Sequence, residues 1–290
     1  MPSFFYRGFR YVIRRTWNLL NPRAIAWRYI KKRHPKKAII TKLGRHLKIR
    51  IYPYDVIGKD IYINGVFEKS ESNFVTRFLK PGMTFLDVGA NLGQYTLLSA
   101  HCVGTNGRVH SFEPSSRMFS ELKFNIELNN LSNICILNNV AVSDKEGTAK
   151  LSKYEAGGEV YGSLGNQNWA ESGKSIIGHE EVKTITLNGY IKKYNISHVD
   201  LIKIDIEGAE LLALRGANQL LNRSDAPTIV LEMADITTDG FGYKAMEMWD
   251  YLKSLDFSLH SFDKHGNLAG PAKRPLNFAC AQNLVAIKHH

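Results

Sequence analysis

Apolar positions change their period along the chain. Before about residue 40 they follow helical spacing, broken near Asn21-Pro22 and again near His34-Pro35, which predicts helical arms. Residues 43–66 alternate and contain Gly44, Pro53, Gly58 and Gly65, the pattern of short antiparallel strands. "FEKSESNFVTRFLKPG" places Phe74, Phe78 and Leu79 at helical spacing and stops at Pro81-Gly82. From there strands and helices alternate. "TFLDVG", "RVHSFE", "NICILNN", "VDLIKID", "PTIVLEM", "FSLHSF" and "NLVAIK" read as strands. Helices are expected over 91–103, from Ser115 or Ser116 through "ELKFNIELNN", over "GAELLALRGANQLL" and over "YKAMEMWDYLKSL". "VAVSDKEGTAKL" reads as a hairpin over Asp144 to Gly147, and the glycine-rich residues 155–180 as a long loop or lid. The whole predicts an α/β, Rossmann-like domain: a mostly parallel seven-stranded sheet with helices on both faces, preceded by short antiparallel strands and a helical arm. The expected divisions are an arm over 1–40, strands and a helix packing on the core over 41–82, and the main domain over 83–290.

Charge sharpens these divisions. Residues 1–50 hold fifteen Lys and Arg and no Asp or Glu, whereas the 290-residue chain as a whole carries +11. The basicity therefore belongs to the N-terminal part, and the remainder is mildly acidic. No apolar run reaches membrane-spanning length, and arginines interrupt the segment a signal peptide would need. Three scattered cysteines, Cys102, Cys135 and Cys280, form neither a disulfide framework nor a zinc motif. A cytoplasmic protein is the expectation.

The first strand leads into the candidate chemistry. After "FLDV" the chain runs Gly89-Ala-Asn-Leu-Gly93, one glycine short of the dinucleotide turn. Two glycines still allow a close turn before a helix N-terminus, but the missing one disfavours a pyrophosphate against the backbone. Asp87 would repel a diphosphate and favour a cation. Glu113, at the end of the second strand, stands where an acid accepts ribose hydroxyls. A ligand with adenosine, one carboxylate and one ammonium is S-adenosylmethionine.

These residues and three further segments carry a resemblance. "FLDVGANLGQYTLLSA", "RVHSFEPSSRMFSELKFNIELNN", "NNVAVSDKEGTAKL" and above all "VDLIKIDIEGAELLALRGA" are similar to the FkbM-type S-adenosylmethionine-dependent methyltransferases, over roughly residues 60–290. The resemblance implies a class I methyltransferase fold and O-methylation of sugar or polyketide hydroxyls. It implies Asp87, Gly89, Asn91 and Gly93 at the methionine part of the cofactor, Glu113 at the ribose, and Val140, Ala141 and Asp144 near the adenine. Asp205, Glu207 and Glu210 fall at the reaction end. One departure is Thr186-Leu187-Asn188, where the family often has Thr-Leu-Asp.

Methyl transfer to an alcohol needs alignment of the acceptor and removal of its proton. Candidate bases are Asp205, which ends the fourth strand, with Glu207, Glu210 and the strand histidine His260 as alternatives. Asp205, Glu232 and Asp235 are a candidate Mg²⁺ set. In the lid, Tyr161 and Trp169 are placed to stack on a sugar, and Ser163, Asn166 and Gln167 to bond its hydroxyls.

The basic arm "FFYRGFRYVIRRTWNLL" mixes arginines with aromatics, the composition of a helix lying in an anionic membrane interface. The leading expectation is an O-methyltransferase for a sugar, glycan or lipid-linked saccharide, peripheral on the cytoplasmic membrane face. An RNA methyltransferase using the arm for phosphates, a non-catalytic membrane-bound module of the same fold, and packing of the arm on its own domain or on a second subunit of a homo-oligomer are the alternatives.

Overall fold

The computed structural model describes residues 21–154, 162–165 and 176–289. They fall into two compact units, Met1–Phe67 and Glu68–His290. Arg7, Arg10, Arg14 and the aromatics of the first arm segment, with Tyr161, Asn166, Gln167 and Trp169 of the expected lid, lie outside the described residues.

In the first unit, helix α1 (Pro22–Arg33) begins where Asn21 accepts Arg23 N–H and Pro22 supplies a first position that needs no donor. It buries Ala24 and Trp27, with Trp27 against Tyr62 at 5.2 Å. Strands β1 (Ile39–Leu43) and β2 (Leu47–Ile51) form an antiparallel hairpin that buries Leu43, Leu47, Ile49 and Ile51. The segment that follows is not a strand as expected but helix α2 (Val56–Asn64). Asp55 caps it by accepting Ile57 N–H, and Gly65 ends it at φ 88°. A local cap and stop outweigh the alternation of "VIGKDIYIN".

The second unit opens with helix α3 (Lys69–Phe78), then β3 (Thr84–Val88), α4 (Gln94–Val103), β4 (Arg108–Phe112), α5 (Ser116–Leu128) and β5 (Cys135–Asn138). Three further strands follow: β6 (Ala141–Val142), β7 (Gly147–Tyr154) and β8 (Ile176–Ile185). Helix α6 (Leu187–Lys193), β9 (Leu201–Ile204), α7 (Glu210–Gly216), α8 (Asn218–Leu221) and β10 (Thr228–Met233) continue the alternation. The chain closes with α9 (Asp235–Thr238), α10 (Ala245–Ser254), β11 (Phe257–Phe262), β12 (Leu268–Pro271) and β13 (Gln282–Lys288).

The main sheet has the order β12-β11-β13-β10-β9-β3-β4-β5. β10, β9, β3, β4 and β5 are mutually parallel, and β13 is reversed between β10 and β11. The seven expected strands are all present, and β12 adds an eighth at the edge. One face carries the main apolar core, where Leu211, Leu214, Met248, Trp249, Leu252 and Phe278 pack on the strands. Strand order reverses between β3 and β9, so a crevice opens above their carboxyl ends.

The expected hairpin over Asp144 to Gly147 is corrected. β6 and β7 do not pair with each other; β8 lies between them, parallel to β6 and antiparallel to β7. Residues 176–180, expected in a loop, belong to that inserted strand. Asn188, at the departure from Thr-Leu-Asp, joins helices: its side chain donates to Asn218 at 2.6 Å and accepts Leu220 N–H at 3.2 Å.

Candidate active site

β3 carries Asp87 between Ser111 of β4 and Lys203 of β9, and the chain then turns through three left-handed residues, Gly89 (φ 88°), Asn91 (φ 49°) and Gly93 (φ 89°). Gly89 is demanded twice over: a Cβ there would stand 1.9 Å from the Asp205 carbonyl oxygen. That close approach joins the glycine turn to the end of β9. The turn's own N–H groups are spent within the chain. Gly89 and Ala90 both donate to Phe112 O at 3.0 Å, and Gly93 donates to Ala90 O at 2.8 Å. Asn91 donates to Glu113 Oε2 at 2.9 Å, and its side-chain Oδ1 accepts from Leu92 N–H at 2.8 Å.

Asp87 is fully buried beneath this turn. Its Oδ2 accepts from Thr96 Oγ1 at 2.6 Å, and its Oδ1 has no partner among the described residues. Burial raises its carboxyl above the usual range, opposed by the Lys203 ammonium and the Thr96 hydrogen bond. Glu113 ties two turns together, accepting Asn91 N–H and, at 2.8 Å, Ser115 N–H. Burial pushes it up to about 7. A buried carboxylate with two donors for its four lone-pair sites is short of donors, and a vicinal ribose diol supplies two. The orphaned Asp87 oxygen and the donor-poor Glu113 thus fit the amino-acid end and the ribose of S-adenosylmethionine.

Val140 and Ala141 follow the end of β5, where Glu113 N–H donates to Asn138 O at 3.0 Å and Asn139 Nδ2 donates back to Glu113 O at 2.8 Å. Ala141 packs with Leu151 and Val182 in the small sheet. Asp144 lies beyond β6, exposed, with Ser143 Oγ donating to it at 3.2 Å; no contact brings it to Glu113.

At the end of β9 sits a residue that the motif reading passed over. Lys203 is 5% exposed, and its Nζ lies 2.8 Å from Asp205 Oδ2 and 4.5 Å from the centre of the Tyr95 ring. Burial opposes its charge, but Asp205, Glu68 and Asp87 more than offset this and hold the ammonium above its ordinary range. Tyr95 donates to Glu68 Oε2 at 2.9 Å, and Asn283 of β13 donates to Glu68 Oε1 at 3.0 Å. One polar chain therefore crosses β9, α4, α3 and β13. The lysine inside "LIKI" was the visible signal, since a charge in an apolar strand needs partners. Glu68, a residue at φ 46° before α3, had no such signal.

Glu207 and Glu210 follow Asp205 in a tightly held turn. Glu210 is buried, and its Oε1 accepts Ile206 N–H at 3.0 Å and Gly208 N–H at 3.2 Å. Its carboxylate holds the backbone of this turn; burial pushes it up to about 7. Glu207 has φ 54°, and its carbonyl accepts from Ser163 Oγ at 2.8 Å. That hydrogen bond commits the Ser163 hydroxyl, expected to meet a sugar, to the backbone. Glu207 is raised well above the usual range by burial, then by Asp205, Glu232 and Glu210. Glu232 follows Leu231, the β10 partner of Ile204, so it stands beside Asp205 at the strand ends. Burial and Asp205 push it up to about 8.

Two expected placements are corrected. His260 lies on β11, separated from β9 by β13 and β10, about 14 Å away at the usual strand spacing. Its Nε2 lies 2.9 Å from Ser258 Oγ, and it does not join the carboxylates. The Mg²⁺ set does not assemble either: no group of three or more His, Cys, Asp or Glu among the described residues is placed to hold a metal. Both Asp235 oxygens hold backbone, accepting Ala245 N–H at 3.0 Å and Phe278 N–H at 2.9 Å, while Asp205 is paired with Lys203.

A glycine turn, an acid closing the next strand and a reversed last strand define a Rossmann-like fold of the class I methyltransferase type. The sequence profile of the methyltransferase FkbM domain matches residues 87–259, and the chain belongs to that family. A curated relative, the 31-O-demethyl-FK506 methyltransferase FkbM of Streptomyces tacrolimicus, is 28% identical over 180 residues, 54% of this chain. The match spans 66% of that relative, just under two thirds of its length. Among solved structures, a methyltransferase FkbM from Methylobacillus flagellatus KT has 12% identity and a TM-score of 0.46, covering 79% of this chain and 52% of that one. An S-adenosylmethionine-dependent O-methyltransferase from Thermotoga maritima has 13% identity and a TM-score of 0.43, covering 90% and 80%.

Proposed function

We propose that this protein is an S-adenosylmethionine-dependent O-methyltransferase acting on a hydroxyl of a sugar, glycan or lipid-linked saccharide. Family membership supports the methyl transfer, and the curated relative's name specifies a 31-O position. The observation that carries the reading is Asp205: a carboxylate fixed 2.8 Å from a buried lysine, at the end of β9, against the glycine turn.

Asp87 would hold the methionine part of the cofactor and Glu113 its ribose, with Gly89 and Gly93 shaping the turn and Val140 beside the adenine. When bound, S-adenosylmethionine supplies an electrophilic methyl group. Asp205 would accept the proton of the acceptor hydroxyl as the methyl group passes from sulfur to the hydroxyl oxygen, and Lys203 would orient that carboxylate. Glu68, Glu232 and Asn283 line the same strand ends with hydrogen-bonding groups suited to a polyhydroxylated acceptor. Glu210 and Tyr243 hold the turn that presents Asp205 and Glu207, with Tyr243 donating to Gly208 O.

Mass spectrometry of glycans from cells with and without the gene tests this. Deletion removes a methyl group from a saccharide, wild type restores it, and Asp205→Asn does not, with turnover lower by about 10²-fold or more. Unchanged glycans on deletion contradict the substrate class; full restoration by Asp205→Asn contradicts the role of Asp205.

A further inference from the structure

We infer that the first unit docks the protein on an anionic lipid bilayer through a surface that includes the β1–β2 hairpin as well as α1. This goes beyond the methyl-transfer reading and does not depend on it.

The charge is one-sided. Residues 21–67 carry twelve Lys and Arg and two acids, Asp55 and Asp60. Two carboxylates against twelve cations leave these residues a net charge of 12 − 2 = +10, a positive field that attracts an anionic partner. The arrangement repeats on two elements. In α1, Ala24 and Trp27 turn inward, leaving Arg23, Arg28, Lys31, Lys32 and Arg33 exposed. Between them Ile25 is 51% exposed and Tyr29 62%. In the hairpin, register places Lys42 opposite Lys48 and Ile40 opposite Arg50, on the side away from the buried Leu43, Leu47 and Ile49. Like charges directly opposite each other weaken a strand pair. Such a pair beside an isoleucine 51% exposed sets positive charge and apolar surface side by side, the combination an anionic bilayer surface accepts.

The apolar members choose between partners. A phosphate backbone has no use for Ile25, Ile40 and Val56, each about half exposed, whereas a bilayer interface buries aliphatic side chains between anionic headgroups. Single-stranded nucleic acid would ask for open aromatic faces. Here Trp27 is buried against Tyr62, Tyr52 and Tyr54 stack on each other at 5.2 Å, and the exposed Tyr29 has the Arg33 guanidinium 5.8 Å from its ring centre.

Sedimentation of the full-length protein with vesicles tests the assignment. It should bind phosphatidylcholine–phosphatidylserine vesicles and leave pure phosphatidylcholine vesicles unbound. Lys42→Glu places an acid opposite Lys48, so the hairpin keeps its pairing while the surface loses two units of charge. Binding should weaken about tenfold or more, from roughly fivefold per charge near an anionic surface. Ile25→Ser should weaken the fraction of binding that survives high salt. S-adenosylhomocysteine affinity should be unchanged in both variants. Equal binding to the two vesicle types overturns the inference, as does Lys42→Glu binding like wild type. Binding to single-stranded RNA with a steep salt slope and no vesicle binding overturns it in favour of nucleic acid.

Discussion

The two units use charge in opposite ways. Residues 1–67 hold sixteen Lys and Arg against two acids, and in the described part these cations point outward. Residues 68–290 hold twenty-two against twenty-five, close to balance, yet their telling charges are buried: Asp87, Glu113, Lys203 and Glu210 are each under 8% exposed. Exposed charges are cheap to keep and act on partners at a distance. Buried charges persist only where other groups hold them, and there they set geometry and protonation. The first unit therefore reads as an address, the second as a reaction site.

Removing a charge should then have opposite consequences in the two units. Lys203→Met leaves Asp87, Asp205 and Glu68 without their shared cation and should cost about 3–5 kcal/mol, read by urea denaturation. Lys203→Met with Asp205→Asn should recover part of that loss. Stability of Lys203→Met equal to wild type would mean that the buried network does not hold the site.

Gly89→Ala comes next. Backbone strain at φ 88° costs about 1–3 kcal/mol, before the clash with the Asp205 carbonyl is counted. The thermal midpoint should fall, and S-adenosylmethionine should no longer raise it.

A smaller effect depends on pH. The Glu232 carboxyl is pushed up to about 8, so the folded state holds a proton that the unfolded chain releases near 4.5. Wild type therefore loses stability as pH rises between those values. Glu232→Gln, which carries no charge, should gain in melting temperature over wild type as pH passes from 5 to about 9. A constant difference across that range would place Glu232 in solvent. Smallest of all, Lys42→Glu in the first unit should leave stability unchanged or raise it by about 0.2–1 kcal/mol, by converting a like-charge pair into an opposite one.

Legibility also differed between the units. The central strands, the Ser115 cap of α5 and the Asn21-Pro22 start of α1 were readable because each depends on local pattern or local hydrogen bonds. α2 was misread because its glycines and short alternation outweighed the Asp55 cap. β8 was missed, and its insertion between β6 and β7 is a long-range pairing invisible to periodicity. At the site, Asp87, Gly89, Asn91, Gly93 and Glu113 form one motif in the sequence, and the structure bonds Asn91 to Glu113 directly and sets Gly89 against the Asp205 carbonyl. The turn's internal bonding was not legible: its N–H groups are spent within the chain, and Asp87 is buried beneath it. Glu68, 135 residues before Lys203, adds its charge to the lysine's surroundings, and Asn283, 80 residues after the lysine, donates to Glu68, a convergence that only the fold produces.

Isothermal titration of the full-length protein with S-adenosylmethionine and S-adenosylhomocysteine tests the central claim most directly, with NAD and Glu113→Gln as the controls. The account predicts one binding site per chain for both adenosylated sulfur compounds, no heat from NAD, and affinity about 10- to 100-fold weaker in Glu113→Gln, the size of hydrogen bonds to a charged acceptor. NAD binding as tightly as S-adenosylmethionine, or Glu113→Gln binding like wild type, would contradict it.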